Sequence, residues 1–172
     1  MPTLLTNTGL GWFWAVSRDG ALVAASLTSD RDAGAKGISA FSERQGADEL
    51  LDRLADDIRR YAAGGRVDFD AFRVDLSAQP PFYRRAQLAA RAIPYGEVRT
   101  YRWLAARSGN PKAFRAAGQA MAHNPISPII PCHRVIASGG SLGGYTGGLD
   151  TKRALLKMEG ADLAALKRPQ RP

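Results

Sequence analysis

The sequence has one cysteine, Cys132, and only two histidines, His123 and His133, in 172 residues. A single cysteine cannot form an internal disulfide, so nothing points to an oxidising compartment. The presence of only one cysteine also excludes a zinc site made of several cysteines. The chain has no apolar run of membrane-spanning length, and residues 1–6 lack the basic start and apolar stretch of a signal peptide. These absences predict a soluble intracellular protein.

Acidic residues are scarce in the second half of the chain. Residues 1–78 carry nine Lys/Arg and twelve Asp/Glu, a net charge of −3, whereas residues 79–172 carry fifteen Lys/Arg and four Asp/Glu, a net charge of +11. An asymmetry of this size predicts two units, of which the basic one faces a polyanion such as nucleic acid. The alternative is a basic protein whose arginines have no such partner.

The first half of the chain contains no histidine, no cysteine and no phosphate-binding glycine motif, which is typical of a scaffold. Its hydrophobic periodicity and turn residues predict the elements in chain order. They are strands over 12–16 and 21–27 joined at Asp19-Gly20, a loop over 28–37, a helix over 47–63 ended by Gly64-Gly65, and a strand over 72–76.

The second half begins after the boundary Gln79-Pro80-Pro81 and is predominantly helical. A helix over 82–92 stops before Pro94, and Val98-Arg99 is extended. Thr100 is expected to cap a helix over 101–107, and Asn110 to cap the next helix, with Pro111 in its first turn and its end near His123. Helix, short glycine-containing turn and helix form a helix-turn-helix pattern. Asp150 is expected to cap a last helix over 151–158.

Cys132 stands beside His133, behind the apolar run 126–131 that leads into the fold. A free thiol is mostly protonated at neutral pH, because its pKa is about 8.5, and the thiolate is the nucleophile. A neighbouring imidazole can take the proton, and a carboxylate can orient the imidazole. The residues alone leave three possibilities open: a cysteine that accepts a group, a cysteine hydrolase, and a small buried cysteine without chemistry.

Several motifs over about residues 80–160 together resemble the O6-alkylguanine-DNA alkyltransferases, also called methylated-DNA–protein-cysteine methyltransferases. The resemblance rests on Ile93-Pro94-Tyr95-Gly96-Glu97-Val98, Thr100-Tyr101, Gly109-Asn110-Pro111-Lys112-Ala113, Arg115-Ala116, Asn124-Pro125, Ile130-Pro131-Cys132-His133-Arg134-Val135 and Tyr145-Thr146-Gly147-Gly148. The Pro-Cys-His-Arg-Val motif at this distance from Asn-Pro is its most specific part.

The resemblance implies a mixed α/β (α+β) fold with two domains. Residues 1–78 would form a small ribonuclease H-like α/β domain, residues 79–160 a winged-helix-like domain with a helix-turn-helix, and residues 161–172 a disordered basic tail. The implied partner is double-stranded DNA containing O6-alkylguanine, bound through the minor groove with a flipped nucleotide. No cofactor, metal or membrane is implied. The protein would act as a monomer in a bacterial or archaeal cytosol, and cooperative binding along DNA stays open.

The resemblance also implies the roles of five residues in the chemistry. Cys132 would take the alkyl group from O6 of guanine irreversibly, so that each molecule acts once. His133 would deprotonate Cys132 through a water, with Glu159 completing the relay. Tyr101 would hydrogen-bond to or protonate the guanine ring, and Asn124 would hold the turn that carries Cys132.

Two further groups of residues follow from the same resemblance. The first forms the substrate-base pocket and comprises Met121, Val135, Tyr145, Thr146, Gly147 and Lys152. The second binds DNA and comprises Arg115, which would fill the place of the flipped base, together with Lys112, Ala113, Ala116, Thr100 and Arg134. Small residues in the second helix of the helix-turn-helix, among them Ala117, Gly118 and Ala120, would give it a smooth face toward the minor groove.

One departure from the family pattern concerns packing. Ala86-Gln87 stand where members commonly carry Val-Trp, which leaves the packing of the helix over 82–92 open.

Two alternatives to alkyl transfer remain. One is a lesion-recognition protein of the same fold, which would lack the cysteine. The other is a winged-helix regulator whose cysteine is structural.

Overall fold

The computed structural model describes residues 1–41 and 48–162, which form two compact units. The first unit comprises residues 1–76 and 125–129, and the second comprises residues 77–124 and the described residues from 130 onward. The segment 125–129 thus belongs with the N-terminal unit, although it lies within the region 79–160 that the sequence assigned to the second domain. Most of the predicted tail, residues 163–172, lies outside the described residues. None of the described helices has both the length and the apolar character needed to span a bilayer.

The first unit is built on an antiparallel sheet of three strands, β1 (Thr3–Thr8), β2 (Gly11–Arg18) and β3 (Ala21–Thr28), in the order β1-β2-β3. The predicted hairpin is confirmed. Asp19 and Gly20 both have positive φ, 50° and 70°, as a two-residue turn between twisted strands requires. Strand β1 was not predicted. Segment 125–129 lies along β3, where the backbone N–H of Ala25 donates to the carbonyl of Pro125 at 2.8 Å.

The loop predicted over residues 28–37 is wrong, because helix α1 (Arg31–Ser39) occupies most of it. Asp30 caps this helix and accepts from the backbone N–H of Ala33 at 2.8 Å. Gly34 and Gly37 weaken the helix signal in the sequence, but they allow it to pack closely on the sheet. A Cβ on Gly37 would lie 2.5 Å from Cε2 of Trp14.

Helix α2 (Glu49–Ala62) confirms the predicted amphipathic helix and buries its apolar face. The strand predicted over residues 72–76 is largely wrong. A single 3₁₀ turn (Phe69–Ala71) comes first, and after it only Val74 pairs with Leu22, as an isolated bridge. Phe72 turns its ring into the core, where it is fully buried.

The second unit packs three helices, α3 (Pro81–Arg91), α4 (Tyr101–Arg107) and α5 (Phe114–Ala122), against one another. The hydroxyl of Thr100 caps α4 as predicted and accepts from the N–H of Trp103 at 3.1 Å. The start predicted for the next helix is wrong. The Asn110 side chain accepts from the N–H of Lys112 at 3.2 Å, and its carbonyl accepts from Ala113 at 3.0 Å. These bonds close a separate turn, so α5 begins only at Phe114.

Two short parallel strands, β4 (Arg99–Thr100) and β5 (Val135–Ile136), and helix α6 (Leu149–Met158) complete the unit. Gly148, with φ 86°, is the N-cap of α6, since its carbonyl accepts from the N–H of Lys152. The predicted cap, Asp150, instead lies in the first turn and pairs with Arg153. The predicted mixed α/β class is confirmed, while the ribonuclease H-like and winged-helix-like descriptions stay predictions.

Gln87, one of the two residues that depart from the family's usual Val-Trp, has a defined packing role on α3. Its side chain is fully buried on α3, and its amide nitrogen donates to the carbonyls of Ala120 and His123 at 3.1 and 3.3 Å. These carbonyls lie at the end of α5, where a helix has no N–H of its own to satisfy them. Gln87 therefore joins α3 to the end of α5.

Replacing Gln87 with Leu should lower the free energy of unfolding by about 1–3 kcal/mol, because buried carbonyls lose their donor. The midpoint and slope of urea unfolding measure this change. Leu88→Ala, at a side chain 48% exposed on the same helix, is the matched control and should change stability by less than about 0.5 kcal/mol. Equal stability of Gln87→Leu and wild type would show that this bridge is energetically neutral.

Candidate active site

Cys132 lies at the wall of a cavity of about 550 Å³ in the second unit and is only 6% exposed. It opens a single 3₁₀ turn (Cys132–Arg134) that leads directly into β5. The cavity is also lined by Tyr101 of α4, by Arg115 and Met121 of α5, and by Tyr145 and Thr146 of the glycine-rich loop. Four residues predicted to serve the reaction or the base, Tyr101, Met121, Tyr145 and Thr146, thus share one cavity with Cys132 and with Arg115, which was predicted to bind DNA.

Asn124 holds the chain that leads into the cysteine turn. Its side-chain amide donates to the carbonyl of Ile130 at 2.8 Å, and the backbone N–H of Cys132 donates to the same carbonyl at 2.8 Å. The Ile130 carbonyl therefore links the end of α5 to the cysteine. This is the position in which the sequence predicted Asn124 to act.

Behind the cysteine, His133, Arg134 and Glu159 form a buried network. His133 Nε2 lies 2.9 Å from Oε1 of Glu159. The Arg134 guanidinium donates to both oxygens of the same carboxylate, through Nε and Nη2, each at 2.9 Å. Its Nη1 donates to the carbonyl of Ile93 at 2.6 Å, and the N–H of Gly96 donates to Oε2 of Glu159 at 3.3 Å.

Burial and the neighbouring charges in this network set the protonation states of Glu159 and His133. Burial by itself raises the pKa of the Glu159 carboxyl, but His133 and Arg134 outweigh it and hold that pKa well below its usual range. Burial lowers the pKa of His133 below its usual value. The positive charges of Arg134 and Lys152 lower this pKa further, while Glu159 opposes the shift without reversing it. At neutral pH the imidazole is therefore uncharged. With its Nε2–H directed at Glu159, Nδ1 keeps the lone pair that a base needs.

Arg134 corrects an expectation. The sequence placed it among the DNA-binding residues, but it is 8% exposed and its guanidinium is engaged with Glu159 and Ile93. A carboxylate as deeply buried as Glu159 needs a counter-charge, and Arg134 is the cation that reaches it. Its role in the described structure is to support the site from inside.

Lys152 is also buried rather than at the surface. Its ammonium group donates to the carbonyls of Val135 and Leu142, at 2.7 and 2.6 Å. Burial lowers the pKa of Lys152 to about 8, against an opposing effect of Cys132. The group is thus mostly cationic at neutral pH and favours a thiolate at Cys132. The carbonyl of Val135, a residue predicted to belong to the substrate-base pocket, has one of its two lone pairs occupied by this bond.

Tyr101 is positioned by a glycine that sequence reasoning missed. Gly143 has φ +68°, and a Cβ on it would lie 2.9 Å from both Cε2 and the hydroxyl oxygen of Tyr101. Burial, and after it the charge of Cys132, raises the pKa of the Tyr101 phenol. The hydroxyl therefore stays protonated and can donate a hydrogen bond. A positive-φ glycine opposite an aromatic residue leaves no signal in the sequence, because the two are far apart along the chain.

The glycine-rich loop is tied to α5 next to the cavity. The Thr146 hydroxyl donates to the carbonyl of Ala122 at 3.0 Å. A Cβ on Gly147 would lie 2.8 Å from Cε1 of Tyr145, so the loop follows the tyrosine ring closely. These two contacts keep Tyr145 and Thr146 at the cavity, where the sequence predicted them.

The predicted DNA-binding residues divide between surface and interior. Arg115 and Lys112 are exposed, whereas Ala113 and Ala116 are half-buried, and the Thr100 hydroxyl oxygen serves as the α4 cap. Ala117 and Ala120 are fully buried, so the expectation that they contribute to the smooth outer face is wrong. Their small size lets α5 pack closely within the unit. Sequence reasoning missed Phe114, which lines the cavity beside Arg115.

Replacing Glu159 with Gln should destabilise the protein by about 3–5 kcal/mol near neutral pH, because Arg134 loses its counter-charge. The folded-state pKa of Glu159 is lowered, so its contribution is present above the unfolded pKa, near 4.5, and is lost as the pH falls through the folded value. Urea unfolding at several pH values below 7 should therefore show the difference from wild type shrinking in acid.

Glu97→Gln is the control for this prediction, because Glu97 pairs with Arg99 and its side chain is 48% exposed. Its loss should cost less than about 1 kcal/mol. A destabilisation by Glu159→Gln that stays the same from neutral to acid pH would contradict an ionised, paired carboxylate.

Comparison with known proteins supports the same interpretation of the site. Residues 81–161 match the family model described as the DNA binding domain of 6-O-methylguanine DNA methyltransferase. The methylated-DNA–protein-cysteine methyltransferase of Methanothermobacter thermautotrophicus is 38% identical over 128 residues, which cover 74% of this chain and 72% of the relative. The Mycobacterium tuberculosis protein of the same name is 47% identical over 104 residues, covering 60% of this chain and 62% of that one.

Solved structures agree over nearly the whole chain. A crystal structure of Mycobacterium tuberculosis OGT in complex with DNA has 32% sequence identity and a TM-score of 0.78, covering 98% of this chain and 100% of that one. A structure of Mycobacterium tuberculosis O6-methylguanine methyltransferase has 33% identity and a TM-score of 0.77, covering 95% and 97%. With a buried cysteine, a paired histidine and these relatives, the chain belongs to the methylated-DNA–protein-cysteine methyltransferase family.

Proposed function

We propose that this protein repairs DNA by direct reversal and transfers a methyl or other alkyl group from O6 of guanine to its own Cys132. The observation that carries the proposal is the position of the thiol. Cys132 lies at the wall of a cavity whose rim includes the exposed Arg115 of α5, in a chain that belongs to this family. O4 of alkylated thymine is a chemically similar second substrate.

The transfer is an in-line displacement. The Cys132 proton passes through a water to His133, whose neutral ring is held by Glu159 at 2.9 Å. The sulfur forms a bond to the alkyl carbon, the bond from that carbon to O6 breaks, and its electron pair stays on guanine. Tyr101 donates a hydrogen bond to the leaving base, and the Lys152 ammonium stabilises the thiolate before attack.

The product explains why one molecule would act only once. The Cys132 thiolate is a poor leaving group from a thioether, and no second thiol is present in the chain to remove the alkyl group. The leaving purine takes one proton from the Tyr101 hydroxyl, and the proton that His133 removed from Cys132 returns to Tyr101 through water, so the net step moves one proton from sulfur to the purine. The protein is therefore consumed in proportion to the lesions it repairs.

The substrate base must leave the duplex to reach Cys132. Extruding a nucleotide costs a few kcal/mol, and we infer that Arg115 fills the vacated place in the stack. Lys112 and the half-buried Ala113 and Ala116 lie close to it in the chain, where they would contact the sugar-phosphate backbone. Since the substrate is cellular DNA, we place the activity in the cytosol.

The alkyl transfer itself is tested by intact mass after incubation with a duplex containing O6-methylguanine. We expect one methyl group per protein molecule, located on Cys132 by peptide mapping, and none in Cys132→Ala. Binding without an adduct would favour a lesion-recognition protein or a regulator. More than one product per protein molecule would favour a turnover enzyme such as a hydrolase.

The role of Arg115 is tested by comparing two substrates. Arg115→Ala should slow methyl transfer from duplex DNA by about tenfold or more, because no side chain then fills the gap that the extruded nucleotide leaves in the base stack. The reaction with free O6-benzylguanine, which needs no extrusion, should fall far less. Rates come from quenched time courses of Cys132 alkylation. Arg153→Ala, at an exposed arginine on α6 paired with Asp150, is the charge-matched control. Equal slowing of both substrates would contradict extrusion by Arg115.

A further inference from the structure

Helix α5 begins with a large exposed aromatic residue, Phe114, although most residues of this helix are small. Phe114 is 38% exposed and is one of three large hydrophobic residues exposed in the described part of the chain, with Leu88 and Leu149. Single exposed hydrophobic residues are common on protein surfaces and need no explanation by themselves. The surroundings of Phe114 are what distinguish it.

Phe114 lies at the mouth of the cavity that contains Cys132. It is the first residue of α5, and it lines the cavity together with Gly118 and Met121, which follow at helical spacing. At a rise of about 1.5 Å per residue, Phe114 stands about 10 Å along the helix axis from Met121. The ring is therefore placed at the entrance, beside Arg115.

Two guanidinium groups flank the ring. The Cζ atom of Arg102 lies 5.3 Å from the ring centroid, and that of Arg115 lies 6.0 Å from it. Residues 98–149 contain no Asp or Glu at all, so no acidic side chain of this stretch offsets these cations. An exposed aromatic ring with two arginines next to it fits a ligand that is both aromatic and anionic, which is the chemistry of a nucleotide.

We propose that Phe114 stacks on a base adjacent to the extruded nucleotide and forms a two-residue wedge with Arg115. The inference rests on the proposed function, since it requires DNA with one nucleotide flipped out. Extrusion uncovers the faces of both neighbouring bases. One guanidinium fills the gap, and an apolar ring next to it can cover a base face that would otherwise be exposed to water.

This geometry also explains why the ring is at the start of α5. Side chains on a helix lean toward its N-terminus, so the Phe114 ring lies toward the turn that precedes α5. At position 114 it borders the entrance and leaves the cavity open.

Four variants test the proposal. Phe114→Leu keeps apolar bulk but loses the aromatic face, and Phe114→Trp keeps stacking. Leu88→Ala removes another exposed hydrophobic residue, 48% exposed against 38% for Phe114, far from the site in sequence. Each is assayed for methyl transfer to Cys132 from limiting duplex DNA and for reaction with free O6-benzylguanine. Arg115→Ala is measured in parallel as the reference for lost extrusion.

We expect Phe114→Leu to lower the duplex rate by about tenfold, in line with the loss of one stacked base, and the free-base rate far less. Phe114→Trp should restore most of the duplex rate, and Leu88→Ala should match wild type. A duplex rate in Phe114→Leu equal to wild type overturns the proposal. So does an equal fall on both substrates, because that would make Phe114 a wall of the base pocket instead.

Direct contact is tested by photocrosslinking. Cys132→Ser protein is bound to O6-methylguanine duplexes carrying 5-iodouracil on either side of the lesion, and the crosslinked residue is identified by mass spectrometry. A crosslink at Phe114 supports stacking, whereas crosslinks only at other residues overturn it. If wild type forms no methyl adduct on Cys132, the proposed function fails. If the adduct forms normally and only the Phe114 results are negative, the inference alone fails.

Discussion

The carboxylate of Glu159 is the buried charge around which the second unit is organised. It receives two hydrogen bonds from Arg134, one from His133 and one from the N–H of Gly96. Taking a carboxylate out of water is costly unless its partners replace the lost solvation, and here they do. Because Arg134 follows Cys132 by two residues, the same ion pair that stabilises Glu159 also fixes the cysteine turn. Stability and chemistry therefore depend on one set of contacts.

Lys152 is a second buried cation near Cys132, and within the described residues no carboxylate is bonded to it. Lys152 bonds two backbone carbonyls instead, which holds the chain between Val135 and Leu142 and leaves its positive charge to act on Cys132. Burial makes this arrangement expensive for the fold, as the lowered pKa of Lys152 reflects. The thiol thus lies beside a neutral imidazole and near a buried cation.

Helix α5 has small residues on the side that faces the interior of the unit and larger residues on the side that faces the cavity. Ala117 and Ala120 face the interior, where Gln87 joins the end of the helix to α3. Arg115 and Phe114 face the cavity mouth. The interior contacts fix where the helix ends, and Asn124 continues from that end to the cysteine turn. Arg115 and Phe114 are thereby connected to the cysteine turn through the end of α5.

Local sequence determined the features that a few neighbouring residues control: the Asp19-Gly20 hairpin, the Thr100 cap, the amphipathic α2 and the identity of the Cys132–His133 pair. The family resemblance of the motifs, rather than local preference, implied the mixed α/β class and several of the cavity residues. Only the tertiary structure decided that Arg134 turns inward to Glu159, that the glycines of α1 permit a helix on Trp14, and that residues 125–129 join the first sheet. Each of these depends on a partner distant along the chain, and burial against that partner outweighs the local preference.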